Sequence, residues 1–180
     1  MPWLPELFSR TGLMPMSLPD AEALCAQLAV ALRPHVDPLS TALVGIHTGG
    51  VWVAERLATA LALKTPIGTI DVSFYRDDYS QRGLQGKART AQMPFEVEGA
   101  HIILIDDVLY TGRTIRAALN EIFDYGRPAR VDLAVLVDRG GRELPMAATW
   151  CAHAQVLSAA QTLSLAHDDA KQLSFRLIEK

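Results

Sequence analysis

Residues 102–114 read Ile-Ile-Leu-Ile-Asp-Asp-Val-Leu-Tyr-Thr-Gly-Arg-Thr, and the fold turns on this run. Its four leading apolar residues have the pattern of a short buried strand, which delivers Asp106 and Asp107 side by side to a strand end. A Thr-Gly-x-Thr turn then opens a helix, whose free N–H groups and positive dipole end favour a phosphate. Gly112 lets backbone approach that anion closely, and Thr111 and Thr114 add hydroxyl donors. Paired carboxylates beside a phosphate cradle suit a sugar phosphate, because they accept hydrogen bonds from neighbouring ribose hydroxyls. The bland alternative, a solvated pair capping the next helix, explains less: two like charges closing an apolar strand add little stability.

Working outward, apolar periodicity alternates between helix and strand. Upstream, Asp20 caps a helix that stripes Leu24, Leu28 and Leu32 and ends before Pro34; 41–46 is a buried strand, 47–50 a turn and 51–63 an amphipathic helix. Residues 67–75 read as a strand rich in β-branched and aromatic residues, and 76–92 as a polar, glycine-containing run that is either a lid loop or a disordered excursion. The central strand spans 101–105, and a helix over 113–125 carries Ile115, Leu119, Ile122 and Phe123, with Gly126 and Pro128 behind it. Val131, Leu133, Val135 and Val137 alternate as a strand, and 172–178 supplies a short closing strand. The fold class is therefore α/β, a single domain over 1–180 with a mostly parallel twisted sheet flanked by helices. In such sheets ligands sit beyond the carboxyl ends of the strands.

Composition narrows the function. With 17 Lys and Arg against 20 Asp and Glu in 180 residues, the net charge is −3, so any nucleic-acid affinity must come from a local patch. Cys25 and Cys151 are too few and too far apart for a disulfide framework or a zinc site and read as reduced core thiols. The start, MPWLPELFSR, lacks the basic and apolar regions of a secretory signal, so a cytoplasmic protein is expected. Residues 144–167 contain no charged side chain, but Pro145, His153, Gln155 and Gln161 argue against a membrane span.

The 102–114 run resembles the phosphoribosyl pyrophosphate (PRPP) signature of type I phosphoribosyltransferases. Further matches at Ala117, 124–128, 133–140 and 142–145, with Tyr-Arg-Asp-Asp at 75–78, make the core at about 41–145 similar to the PyrR family. These are pyrimidine operon attenuation regulators with uracil phosphoribosyltransferase activity. The resemblance implies that Asp106 and Asp107 hold the ribose hydroxyls, that Thr111, Gly112, Arg113 and Thr114 bind the 5′-phosphate, and that Thr48, Gly49 and Gly50 line the pyrophosphate site. It implies transfer from PRPP to uracil, giving UMP, with Mg²⁺ held mainly by the substrate rather than by protein ligands. Arg76, Arg82 and Lys87 are the lid cations and Arg89 joins the catalytic set. Tyr110 stands where purine-using relatives commonly carry a carboxylate, and a phenol is a poor base near neutral pH, which favours a pyrimidine. Val137, Asp138 and Arg139 are the candidates for base recognition. Leader RNA is a further implied partner, with Arg127, Arg130 and Arg142 as a candidate patch, and a homodimer or larger oligomer is expected. The chain departs from well-known members at Gly49, in place of arginine, at His47, in place of another basic residue, and at Gly141, in place of histidine. Nothing after Pro145 matches.

Overall fold

The computed structural model describes residues 18–72 and 91–179. Asp20 caps the first helix as expected: its Oδ1 accepts from the N–H groups of Glu22 at 2.9 Å and Ala23 at 3.1 Å. This helix, α1 (Ala21–Leu32), buries Leu24, Leu28 and Leu32, and the chain passes Pro34 in a single 3₁₀ turn, Arg33–His35. Pro34 does not break the path, because the first residues of a helical turn need no N–H partner.

Strand β1 (Thr41–Ile46) is buried throughout, which explains its continuous apolar run. Helix α2 (Gly49–Leu61) begins two residues earlier than the periodicity suggests, so Gly49 and Gly50 are its first turn and not part of a preceding loop. Strand β2 (Gly68–Ile70) does not include residues 67, 71 and 72 of the expected strand, whose residues 73–75 lie outside the described residues. Strand β3 (His101–Leu109) is longer than expected: Asp106 and Asp107 lie inside it, with Val108 and Leu109 continuing the ladder. Helix α3 (Arg113–Asp124) follows, then β4 (Arg130–Asp138) and β5 (Trp150–Ala154). The five strands form one parallel sheet in the order β2-β1-β3-β4-β5. Phe123, expected on the core face of α3, is 55% exposed.

The expected closing strand is not part of this sheet. It is β7 (Leu173–Glu179), paired antiparallel with β6 (Gln161–His167) in a separate hairpin. Among the described residues no helix is long and apolar enough to cross a membrane, and the uncharged 144–167 stretch supplies β5 and β6 instead. Burial pushes the Cys25 thiol up to about 12, as suits a core thiol, whereas Cys151 is exposed on β5.

Two cores sandwich the sheet. Ile103 and Ile105 face α1, α2 and the hairpin, through Leu28, Leu57, Leu165 and Phe175; Ile102 and Leu104 face α3, through Ile115 and Ile122. Alternation then sends Asp106 toward the α3 face and Asp107 toward the α2 face. The start of α2 lies directly on the strands beneath it. A Cβ on Gly50 would sit 2.4 Å from the Ile105 carbonyl oxygen, and one on Gly45 would sit 2.6 Å from the Cα of Val51. Gly50→Ala should therefore cost about 1–3 kcal/mol by overpacking against rigid backbone. Denaturant unfolding checks this, and an unchanged midpoint would show that α2 can lift away freely.

Candidate functional site

Pairing sets the site's geometry. Strand β1 ends at Ile46, with Gly45 opposite Ile105, so residues 107–109 of β3 extend past it. The loop into α2 fills the space left beside them. A Cβ on Gly49 would lie 2.5 Å from both Cγ and Oδ2 of Asp107, so the glycine admits the carboxylate against the helix start. The His47–Thr48 peptide is cis. Asp106 is 3% exposed, and its Oδ1 accepts from the Asp107 N–H at 3.0 Å; it is a buried group and not the solvent-facing one its place after an apolar run suggests.

On the other side of β3 the chain turns into α3. Thr111 is buried; its Oγ1 accepts from the Arg113 N–H at 3.3 Å, while its carbonyl accepts from Glu143 and Leu144, each at 3.0 Å. Gly112 holds φ +92° at the helix N-cap, in the left-handed region that favours glycine. A branched residue there would therefore strain the backbone as well as crowd a ligand. Arg113 pairs with Glu143 at 2.6 Å on the surface, and Thr114 is half-buried in the first turn. Among the described residues, the N-cap residues Gly112 of α3 and Thr48 of α2 make no side-chain capping bond, in contrast to Asp20 of α1, and at α3 only the Arg113 N–H is taken by a side chain, that of Thr111. Two uncapped helix N-termini thus flank Asp106 and Asp107, an arrangement able to hold two anionic groups with hydroxyl-bearing carbon between them.

The loop after β4 is already engaged. Val137 is a core residue, and its side chain offers nothing to a ligand. Asp138 accepts from the Gly140 N–H at 2.9 Å and pairs with Arg142, which also donates to the Tyr110 carbonyl. Arg139 is buried rather than projecting: its guanidinium lies 4.0 Å over the Tyr110 ring and donates to the Ser158 carbonyl at 2.9 Å. A Cβ on Gly141 would come within 2.4 Å of the same ring, so Tyr110 occupies the room a larger residue would take. Tyr110, Arg139 and Gly141 form one wall.

Arg127, Arg130 and Arg142 do not form a patch. Arg130 starts β4 and Arg142 follows its end, roughly 26 Å away along nine extended residues. Arg130 is held by Asp132 at 2.6 Å and Arg142 by Asp138, so they stand at opposite ends of strand β4. Arg76, Arg82, Lys87 and Arg89 lie outside the described residues.

The phosphoribosyl transferase domain family matches residues 17–159 of this chain. A bifunctional protein PyrR from Pseudomonas fluorescens is 51% identical over 162 residues, covering 88% of this chain and 92% of its own length. The chain belongs to the PyrR family of phosphoribosyl transferases. A PyrR from Pseudomonas syringae pv. syringae is likewise 51% identical, over 88% of this chain and 91% of its own. Among solved structures, a hypoxanthine phosphoribosyltransferase from Staphylococcus aureus superposes with a TM-score of 0.59 at 19% identity, over 76% of this chain and 73% of its own, which is a likeness of fold.

The chain also ties its hairpin to the site through residues the motifs do not touch. Arg56 on α2 grips both carboxylate oxygens of Glu22 on α1, with Nε at 3.0 and 2.9 Å, and also donates to the Lys171 carbonyl. The Leu173 N–H donates to Glu22 at 2.8 Å. One ion pair thereby joins α1, α2 and the hairpin, and positions as distant as 22, 56 and 171 give no sequence signal of it. The hydrogen bonds from Arg56 hold the Glu22 carboxyl below its ordinary value. A depressed carboxylate contributes stability that is present above its unfolded pKa of about 4.3 and lost as pH falls through the lower folded value. Glu22→Gln should flatten the acid limb of stability below about pH 4.3, read by denaturant melts across that range; parallel limbs would mean the pair contributes nothing.

Proposed function

We propose that this chain transfers the phosphoribosyl group of PRPP to uracil, giving UMP and pyrophosphate, and that it couples this site to pyrimidine-responsive binding of leader RNA. The observation that supports the reading best is the placement of Asp106 and Asp107 between two uncapped helix N-termini. The reaction separates charge: C1′ becomes cationic as its bond to the diphosphate oxygen breaks, a ring nitrogen of uracil closes on it, and the proton that nitrogen carried passes to the departing diphosphate or to solvent. Rate therefore comes from fixing the sugar and stabilising the departing anion.

In this reading the N–H groups opening α3, with the hydroxyls of Thr111 and Thr114 and the close approach at Gly112 and Arg113, hold the 5′-phosphate. Asp107, half-buried on the α2 face, accepts from a ribose hydroxyl, and buried Asp106 accepts from its neighbour while fixing the Asp107 backbone. Thr48, Gly49 and Gly50 receive the diphosphate. The base lies against the wall of Tyr110 and Arg139, with the backbone of 137–139 at its edge. Arg76, Arg82, Lys87 and Arg89 are proposed as further cations from outside the described residues.

A magnesium ion fits these residues as a substrate-borne ion. No group of three His, Cys, Asp or Glu gathers into a cage among the described residues, while Asp106 and Asp107 are hard oxygen donors beside the proposed diphosphate site. Asp106 and Asp107 would help hold such an ion beside the diphosphate, where it would supply neutralising charge to the leaving group.

The test is product formation from PRPP with uracil, orotate, hypoxanthine and guanine. Uracil should give nucleotide at least about tenfold faster than the others, and Asp107→Asn should lower kcat/KM for PRPP by about 10–100-fold while the protein still melts cooperatively. Transfer to a purine base, or an Asp107→Asn enzyme with unchanged kinetics, would reject the assignment. The relatives' shared name, bifunctional protein PyrR, favours the second activity. Its measurement is gel retardation of pyrimidine-leader RNA with and without UMP, and no retardation at low salt would leave the transferase alone.

A further inference from the structure

The loop proposed to receive the diphosphate reads His47-Thr48-Gly49-Gly50. It offers amides, a hydroxyl and an imidazole, but no permanent cation, although a departing diphosphate carries several negative charges. The fold brings a cation to it from a distant part of the chain. A pocket of about 330 Å³ has His47, Thr48, Val51 and Trp52 on one side and His167, Lys171 and Leu173 of the hairpin on the other. It shares the 47–48 loop with the paired carboxylates, and Asp106 and Asp107 do not line it.

Arg56 and Lys171 play different parts there. The guanidinium of Arg56 is taken up by Glu22 and by the carbonyls of Trp52 and Lys171. It fixes the wall and has little left for a ligand. Lys171 is fixed by its backbone: its carbonyl accepts from Arg56, its N–H donates to the Asp168 carbonyl at 2.9 Å, and φ is +62°. Lys171 lines the pocket, and its ammonium has no partner among the described residues. His167 adds a ring packed edge-on to Trp52 at 4.4 Å. Glu55 and Arg56 also line the pocket, so apart from the Glu22–Arg56 pair the field is that of one ammonium and two imidazoles set against one carboxylate.

We propose that Lys171, carried by the β6–β7 hairpin, is a diphosphate-binding residue that supplies the cation this chain's 47–50 loop lacks, with His167 as a second donor. The inference rests on the transferase reading above. It gives the Glu22–Arg56 pair a function beyond stability, because that pair holds the Lys171 backbone beside the loop. A lysine suits a leaving anion, since three donors on a flexible stem can follow the diphosphate as it departs.

The experiment is calorimetric titration of the full chain with magnesium pyrophosphate and, separately, with UMP. Lys171→Gln shortens the stem slightly and removes the charge. It should weaken pyrophosphate binding about tenfold, while Lys171→Arg stays within about threefold of the unmodified protein. UMP affinity should be the same in all three proteins, because UMP has no diphosphate. Equal pyrophosphate affinity in Lys171→Gln and the unmodified chain would overturn the proposal, as would parallel losses for pyrophosphate and UMP. These titrations need no turnover, so a protein that fails to make UMP from uracil rejects the transferase reading without deciding the hairpin's part in anion binding.

Discussion

Two helices begin uncapped at the same edge of one sheet, and the rest of the molecule is arranged around that edge. Helix α1 satisfies its first N–H groups with Asp20, whereas α2 and α3 have no capping side chain. A helix N-terminus presents N–H donors without an intrahelical acceptor and a partial positive charge. Strand β3 outruns β1, so its last residues pass between the two helix starts, and Asp106 and Asp107 are set there on opposite faces. Donors for anions thus stand on both sides of acceptors for hydroxyls, which is the complement of a sugar carrying a phosphate at one end and a diphosphate at the other.

Small residues make this closeness possible. Gly45 and Gly50 let α2 touch the backbone of β1 and β3, Gly49 makes room for the Asp107 carboxylate, and Gly112 supplies the left-handed turn into α3. Gly141 belongs to the same set, because the Tyr110 ring fills the space above it and carries the Arg139 guanidinium. The hairpin is held to this frame by the buried faces of Leu163, Leu165, Leu173 and Phe175 and by the Glu22–Arg56 pair. A site assembled from such close contacts tolerates substitution poorly, since few of its neighbours can move aside.

Much of this is legible in the sequence, and the differences have physical causes. Strand β1 has the bounds its sequence predicts, because a continuous apolar run bounded by turn residues has few alternative structures. Strand β3 runs longer than its apolar residues suggest: two adjacent carboxylates look like an ending, but the ladder to β4 carries the strand through them. Helix α2 starts early because paired glycines, which look like a turn, are here the only residues small enough for that helix start. The strand at 150–154 is opaque because β5 is a half-exposed edge strand, so it lacks the apolar run of its neighbours. The arginines at 127, 130 and 142 are close in sequence, which does not reveal that a whole strand separates the ends of that group. Arg139 follows a strand end and so looks like a surface residue, yet a guanidinium is readily buried when it has an aromatic face beneath it and a carbonyl to donate to.

In the proposed mode of binding, the edge where β3 outruns β1 takes the phosphoribosyl group through both helix starts at once. Amide hydrogen exchange, followed by mass spectrometry with and without magnesium-PRPP, reads the backbone N–H groups assigned to the anions. Exchange should slow in peptides covering 47–50 and 106–114 together, with no change at the opposite edge around residues 127–130. Protection confined to one of the two helix starts, or centred on the opposite edge, would contradict binding through both.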